Sequence, residues 1–233
     1  MSYLWQEFNI KTFPAETLVF RDGIFCQDLS DYESAEFNTD KNTISIVKTP
    51  SLPIHIIIIG EIAGNFDINI DILPENIDVF MTTKIFNKKP AFLNFFIKNT
   101  GKNSVFNGQI IAQNYNLLKI DVNAGHFCEN TGIFVKTKVL AHQNSDTQLN
   151  GYANIENNAK DSESDVSFSV MAVDESAKIK MMPTQYIKSV PLCAKHSASI
   201  YKNNEFQVDY LRGAGLSLAE IKQIFQEAFL SQE

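Results

Sequence analysis

Short segments in which apolar and polar residues alternate dominate this chain and constrain its fold most strongly. The clearest is Phe66-Asp67-Ile68-Asn69-Ile70-Asp71-Ile72. A period of two places every apolar side chain of such a segment on one face, as a half-buried strand requires. Similar runs lie at 43–47, 92–97, 105–112, 117–122, 132–140 and 166–173, separated by Asn, Asp, Gly and Lys, the usual turn residues. No ten-residue amphipathic helix interrupts residues 17–190, so this region reads as all-β. Many short strands suit a sandwich or a solenoid. Asn107-Gly108 and Asn150-Gly151 read as hairpin turns and favour the sandwich, whereas stacked asparagines and inward apolar faces favour the solenoid. No strict repeat period decides between them.

After Ser199 the pattern changes. Asn203 or Asn204 can cap a short helix carrying Phe206, Tyr210 and Leu211, ended by Gly213 or Gly215. Ser217-Leu218-Ala219-Glu220 has the capping-box form and opens a second helix. Leu218, Ile221, Ile224, Phe225, Ala228 and Phe229 fall at helical spacing on it. Part of that stripe is expected to pack on the β region and part to meet a partner.

Several functional classes are excluded. The chain of 233 residues has a net charge of -7 and only two arginines, Arg21 and Arg212, a poor endowment for gripping nucleic acid. No apolar run is long enough to cross a bilayer, and residues 1–7 lack the basic and apolar regions of a secretory signal, so a soluble, cytoplasmic protein is expected. Cys26, Cys128 and Cys193 are widely spaced, as are His55, His126, His142 and His196. Neither a closed zinc site nor a disulfide framework follows from that spacing. Familiar nucleotide-binding and hydrolase signatures are missing, so the chain reads as a binding or scaffold protein rather than an enzyme. Asp161, Glu163 and Asp165 read as a solvated turn, without the ligand spacing of a calcium loop.

The C-terminal residues are more specific. Tyr210-Leu211-Arg212-Gly213-Ala214-Gly215-Leu216-Ser217, followed by Ala219-Glu220 and Phe229, resembles the "YLRSRGLS..EA......F" ending of the SufB/SufD family of iron–sulfur cluster assembly proteins. Pro183-Thr184-Gln185-Tyr186-Ile187, then His196-Ser197-Ala198-Ser199, is similar to the family's "P.LEI" and "CSHGAT" segments. Residues 149–160, with Val170, Met171 and Ala177, resemble the blocks before them. Leu18-Val19-Phe20-Arg21-Asp22-Gly23 is similar to the "LVFVNG" start of the SufD core, and Pro53-Ile54-His55-Ile56 to its early strand.

The resemblance implies a mainly β fold: a right-handed parallel β-helix with a C-terminal helical pair. On that reading residues 1–16 are an N-terminal extension, much shorter than the family's usual helical region. Residues 17–198 are the β-helix core and 199–233 the helical region. It further implies a non-catalytic, SufD-like scaffold subunit that binds a SufC-type ABC ATPase through the C-terminal helices. A SufB-type scaffold, or a second copy of the chain, would be its other partner. An iron–sulfur cluster would form transiently at a subunit interface, with none held stably by this chain alone. Leu218, Lys222, Phe225 and Phe229 are the candidate ATPase contacts.

His196 stands at the family histidine that faces the scaffold interface, where an imidazole can ligate iron or move protons. The plainer alternative is a histidine merely hydrogen-bonded in that interface. The family cysteine lies two residues before the histidine, at Ala194 here, while Cys193 lies three before. A shift of one along a strand reverses the face. Either a bulge restores Cys193 to the site or it is an ordinary buried thiol. Cys26 and Cys128 match no family position. Two other readings remain: a diverged β-helix module that binds partners without cluster chemistry, and a polysaccharide-acting β-helix enzyme. The latter would need facing carboxylates or a calcium site.

Overall fold

The computed structural model describes residues 16–231. The N-terminal extension 1–16 therefore lies, except for Glu16, outside the described residues. From residue 54 onward the chain alternates between two parallel sheets, building a parallel β-solenoid of about six turns. One sheet contains β1 (Glu16–Arg21), β2 (Ile24–Phe25), β5 (Ile54–Glu61), β7 (Asp78–Asn87), β9 (Val105–Asn114), β11 (Gly132–Ala141), β13 (Glu163–Ala172) and β15 (Cys193–Lys202). The other contains β3 (Ala35–Asn38), β4 (Thr43–Ile46), β6 (Gly64–Ile72), β8 (Ala91–Asn99), β10 (Leu117–His126), β12 (Asp146–Ile155) and β14 (Lys178–Ile187). Two helices close the chain, α1 (Glu205–Gly213) and α2 (Leu218–Ser231).

Register explains the packing. Parallel strands one coil apart pair residue for residue, so alternate residues stack in inward columns. In the first sheet Ile56, Met81, Gly108, Val135 and Val166 form one column, and Ile58, Thr83, Ile110, Thr137 and Phe168 another. All but Gly108 of these residues are fully or almost fully buried, Gly108 being buried as well. In the second sheet Ile70, Ile97 and Ala124 stack likewise. Burial of these columns from both sheets supplies the main driving force for folding.

The repeat is hidden in the sequence because coils differ in length. Ala91, Leu118, Thr147 and Ile179 occupy one column at intervals of 27, 29 and 32 residues. The corners absorb the difference. Asn76, Asn103, Asn130 and Asp161 recur there with positive φ, a conformation that asparagine and aspartate tolerate better than other non-glycine residues.

Asn107-Gly108 and Asn150-Gly151 are not hairpin turns: both lie inside strands, β9 and β12. The glycines are there to make room. A Cβ on Gly108 would meet Phe106 Cε1 at 2.9 Å, and one on Gly151 would meet Phe168 Cζ at 2.9 Å from the facing sheet. The sandwich reading falls with them.

The two ends of the solenoid differ. At the N-terminal end, β2 turns back antiparallel on β1 and β3 on β4. Phe25 packs on Phe37 at 4.4 Å and on Phe20 at 5.3 Å between ring centroids, plugging the interior. At the C-terminal end β14 and β15 are edge strands.

Both helix boundaries are built as expected. Asn204 Oδ1 accepts from Phe206 N at 3.0 Å and caps α1. Gly215, at φ +93°, ends it, with Leu216 N donating to Leu211 O and Gly215 N to Arg212 O, the pattern of a Schellman motif. The capping box at α2 is reciprocal: Glu220 N donates to Ser217 Oγ, and Ser217 N and Oγ both donate to the Glu220 carboxylate. β15 runs to Lys202, so the last strand extends four residues past the expected core boundary at 198.

Candidate functional site: the open end and the terminal helices

The last coil leaves its inner face uncovered. The β14 column residues Ile179, Met181, Pro183 and Gln185 are half-buried, while Ile187 is 45% exposed. On β15 the inward positions are Ala194, His196, Ala198 and Ile200, opposite Ser164, Val166, Phe168 and Val170 of β13. Val166, Phe168 and Val170 are buried, yet Ile200 is 52% exposed. These side chains occupy core positions of a solenoid that stops one coil short of covering them. Ten-residue strands with one free hydrogen-bonding edge are poised to accept another strand.

His196 therefore sits in an inward column, in register with Val166, and is exposed because, among the described residues, no strand pairs with the outer edge of β15. Cys193 opens the same strand, in register with Glu163, and is half-buried. β15 pairs with β13 without interruption from Cys193 to Lys202, so no bulge intervenes. Cys193 and His196 consequently project from opposite faces of the sheet, and Ala194 shares the face of His196. Cys26 and Cys128 are likewise half-buried free thiols. Among the described residues no three His, Cys, Asp or Glu side chains converge as a metal-binding group, Asp161, Glu163 and Asp165 included.

The other histidines have structural partners. His55 Nε2 lies 2.9 Å from Thr82 Oγ1 and His126 Nδ1 2.9 Å from Thr131 Oγ1. His142 stacks on Tyr115 with centroids 4.0 Å apart. Burial lowers all three imidazoles below the ordinary histidine value, His126 to about 4.

The helices are docked unequally. Phe229 is buried against Leu140 and Met171, with Phe225, Leu230 and Val173 around it. Tyr201 lies 5.3 Å from the Phe229 ring, and Lys138 Nζ donates to Phe229 O at 3.0 Å near the C-terminal end of the helix, where a cation is favoured. Of the four expected partner contacts, Phe229 is buried and Phe225 half-buried on the solenoid, while Leu218 and Lys222 are exposed. By contrast α1 buries no side chain at all, and its Phe206 and Tyr210 are 86% and 78% exposed. Their spacing of four puts both rings on one face of α1. The sequence names both rings on this helix but assigns them no partner; their signal is that they share a face apart from the half-buried Val208 and Leu211. A cleft of about 430 Å³ lies beside α1, lined among others by Asp174, Lys202, Asp209 and Lys222.

Residues 80–229 match the family model described as "SUF system FeS cluster assembly, SufBD core domain". The chain belongs to the SufBD family. The match spans the solenoid from β7 to its open end and most of both terminal helices. No curated protein matches the chain. Membership places it in iron–sulfur cluster assembly and implies work in complex with other SUF components. No helix among the described residues is long and apolar enough to cross a membrane.

Proposed function

We propose that this chain is a non-catalytic, SufD-like scaffold subunit of a cytoplasmic SUF assembly complex. The open end of its solenoid docks a SufB-type scaffold, and its terminal helices dock a SufC-type ABC ATPase. The observation that carries this reading is the uncovered last coil, with core-type positions and two free strand edges left for another protein to complete. A second solenoid satisfies both needs at once, pairing the edges and burying the inner columns.

The ATPase contact is best supported on α1. Phe206 and Tyr210 are large, exposed and adjacent, as interface anchors tend to be, and Leu218 and Lys222 of α2 extend the surface. Phe225 and Phe229 act indirectly by holding α2 on the solenoid. Iron and sulfide are then cargo, gathered at the scaffold interface as the ATPase works. On this reading His196 contributes one nitrogen ligand there, alongside a thiolate from the other scaffold. Cys193, on the opposite face, is outside that arrangement.

Reconstitution with both partners tests this. His196→Ala is expected to leave the complex intact, since a single exposed side chain rarely sets an interface, while iron and sulfide recovered on the complex fall sharply. Normal cluster yield from an intact His196→Ala complex favours the diverged partner-binding module without cluster chemistry.

A further inference from the structure

The last coil, from Lys178 to Lys202, carries five lysines and no aspartate or glutamate, although the whole chain has a net charge of -7. Lys178, Lys180, Lys195 and Lys202 are exposed, and among the described residues the ion pair formed by this coil is Lys188 with Glu156, at 2.7 Å. Register gives two of these lysines a carboxylate on one side only. Lys178 lies beside Asp146 of β12, and Lys195 beside Asp165 of β13. Their other side is the open edge.

We infer that the open end selects an acidic partner edge and disfavours a second copy of this chain. The inference rests on the reading of that end as a scaffold contact. A strand added to β14 or β15 lies about 4.8 Å away, which brings its side chains within direct range of these lysines. Carboxylates on the incoming strand continue the alternation already present between coils, setting Lys178 and Lys195 between two negative groups. A second copy instead brings lysines against lysines, and the terminal coil contains no carboxylate to interleave with them. Edge lysines also blunt indiscriminate strand pairing, so this arrangement rejects the wrong partner while attracting the right one.

The test uses the full chain and a charge-reversed copy carrying Lys178→Glu, Lys180→Glu, Lys195→Glu and Lys202→Glu as the probe. Lys188 is kept because it holds Glu156. Sedimentation velocity is run at about 20 mM and about 500 mM salt, between which the Debye length falls from roughly 20 Å to roughly 4 Å. At low salt the mixture is expected to associate at least about tenfold more tightly than the unaltered chain with itself. That preference should shrink at high salt, where self-association of the unaltered chain strengthens. Self-association as tight as the mixture at low salt overturns the charge inference and leaves the open end standing as a contact. Absence of association in every combination, with circular dichroism showing both chains folded, overturns the scaffold contact and the inference together. Should the reversed copy not fold, Lys178→Gln with Lys195→Gln serves instead. Its low-salt self-association should exceed that of the unaltered chain by about tenfold, and no gain overturns the proposal.

Discussion

His126 makes the stability of the solenoid depend on pH in a way that can be worked out beforehand. It ends β10 at a corner, fully buried, in the register position that Asn99 holds one coil earlier. Asn99 satisfies its amide fully: Nδ2 donates to Ser104 O at 2.8 Å and Oδ1 accepts from Gly101 N at 3.2 Å. His126 has Thr131 on Nδ1, but its Nε2 is buried without a hydrogen-bond partner among the described residues. Protonation would put an unpaired N–H and a charge into that site, so burial lowers the pKa from 6.5 to about 4. The unfolded chain binds the proton first as pH falls. Stability is therefore intact above pH 6.5 and declines down to about 4. From pH 7.5 to 5 the loss from this residue is about 2 kcal/mol. His55 and His142, also lowered by burial, act in the same direction. Glu16, Glu129, Glu156, Asp174 and Glu220 are lowered as well, and their contributions are lost only at more acid pH. Urea unfolding of the unaltered chain and of His126→Asn, followed by circular dichroism at pH 7.5 and 5, isolates the effect. The drop should be smaller in His126→Asn by about 2 kcal/mol, whatever the variant's stability at neutral pH. Equal drops in the two proteins refute the argument.

Other outcomes follow from the same packing. Gly101→Ala should cost about 2 kcal/mol or more in urea unfolding, because its Cβ would lie 1.8 Å from Pro74 O, a backbone atom that cannot swing aside. Phe229→Ala should cost about 3 kcal/mol locally, seen as lost amide-exchange protection in α2 with the solenoid strands unchanged. Phe206→Ala with Tyr210→Ala should leave the melting temperature unaltered and abolish capture of a SufC-type ATPase; undiminished capture moves that contact elsewhere. His196→Ala should change stability by less than about 0.5 kcal/mol, the usual range for an exposed site, since its side chain is exposed.

Much of the fold was legible where burial alternates along a strand. Phe66–Ile72 reads directly as a half-buried strand because one face meets the interior and the other meets water. Strands such as β14 and β15 were harder to see, because their inner faces lack a covering coil and carry Pro183, Gln185 and His196 where earlier coils carry apolar residues. Gly108 and Gly151 misled because a glycine that makes room for a phenylalanine ring, Phe106 on the same strand or Phe168 across the core, looks in sequence like a glycine admitted for a turn. The helix ends were fully legible, since capping depends on residues within one turn of each other. The site was legible only in part. His196 came from resemblance, and its inward register needs the pairing with β13. Phe225 and Phe229 were drawn toward a partner by their spacing, whereas they pack on the cluster of Leu140 and Met171, some fifty-five to ninety residues earlier in the chain. Periodicity reports that a helix face is apolar, but not what covers it.

A scaffold subunit completed by a second solenoid and served by an ATPase should be recoverable as such from the protein's own cells. The tagged chain is purified at low salt, its partners are identified by mass spectrometry, and iron and sulfide are assayed on the same fraction. An ABC-type ATPase and a second SufBD-family chain should co-purify in stoichiometric amounts, the latter lost from a variant lacking β15 and the helices but kept when only residues after Gly215 are removed. Recovery of the chain alone, or with the ATPase but no second scaffold, would contradict that assembly.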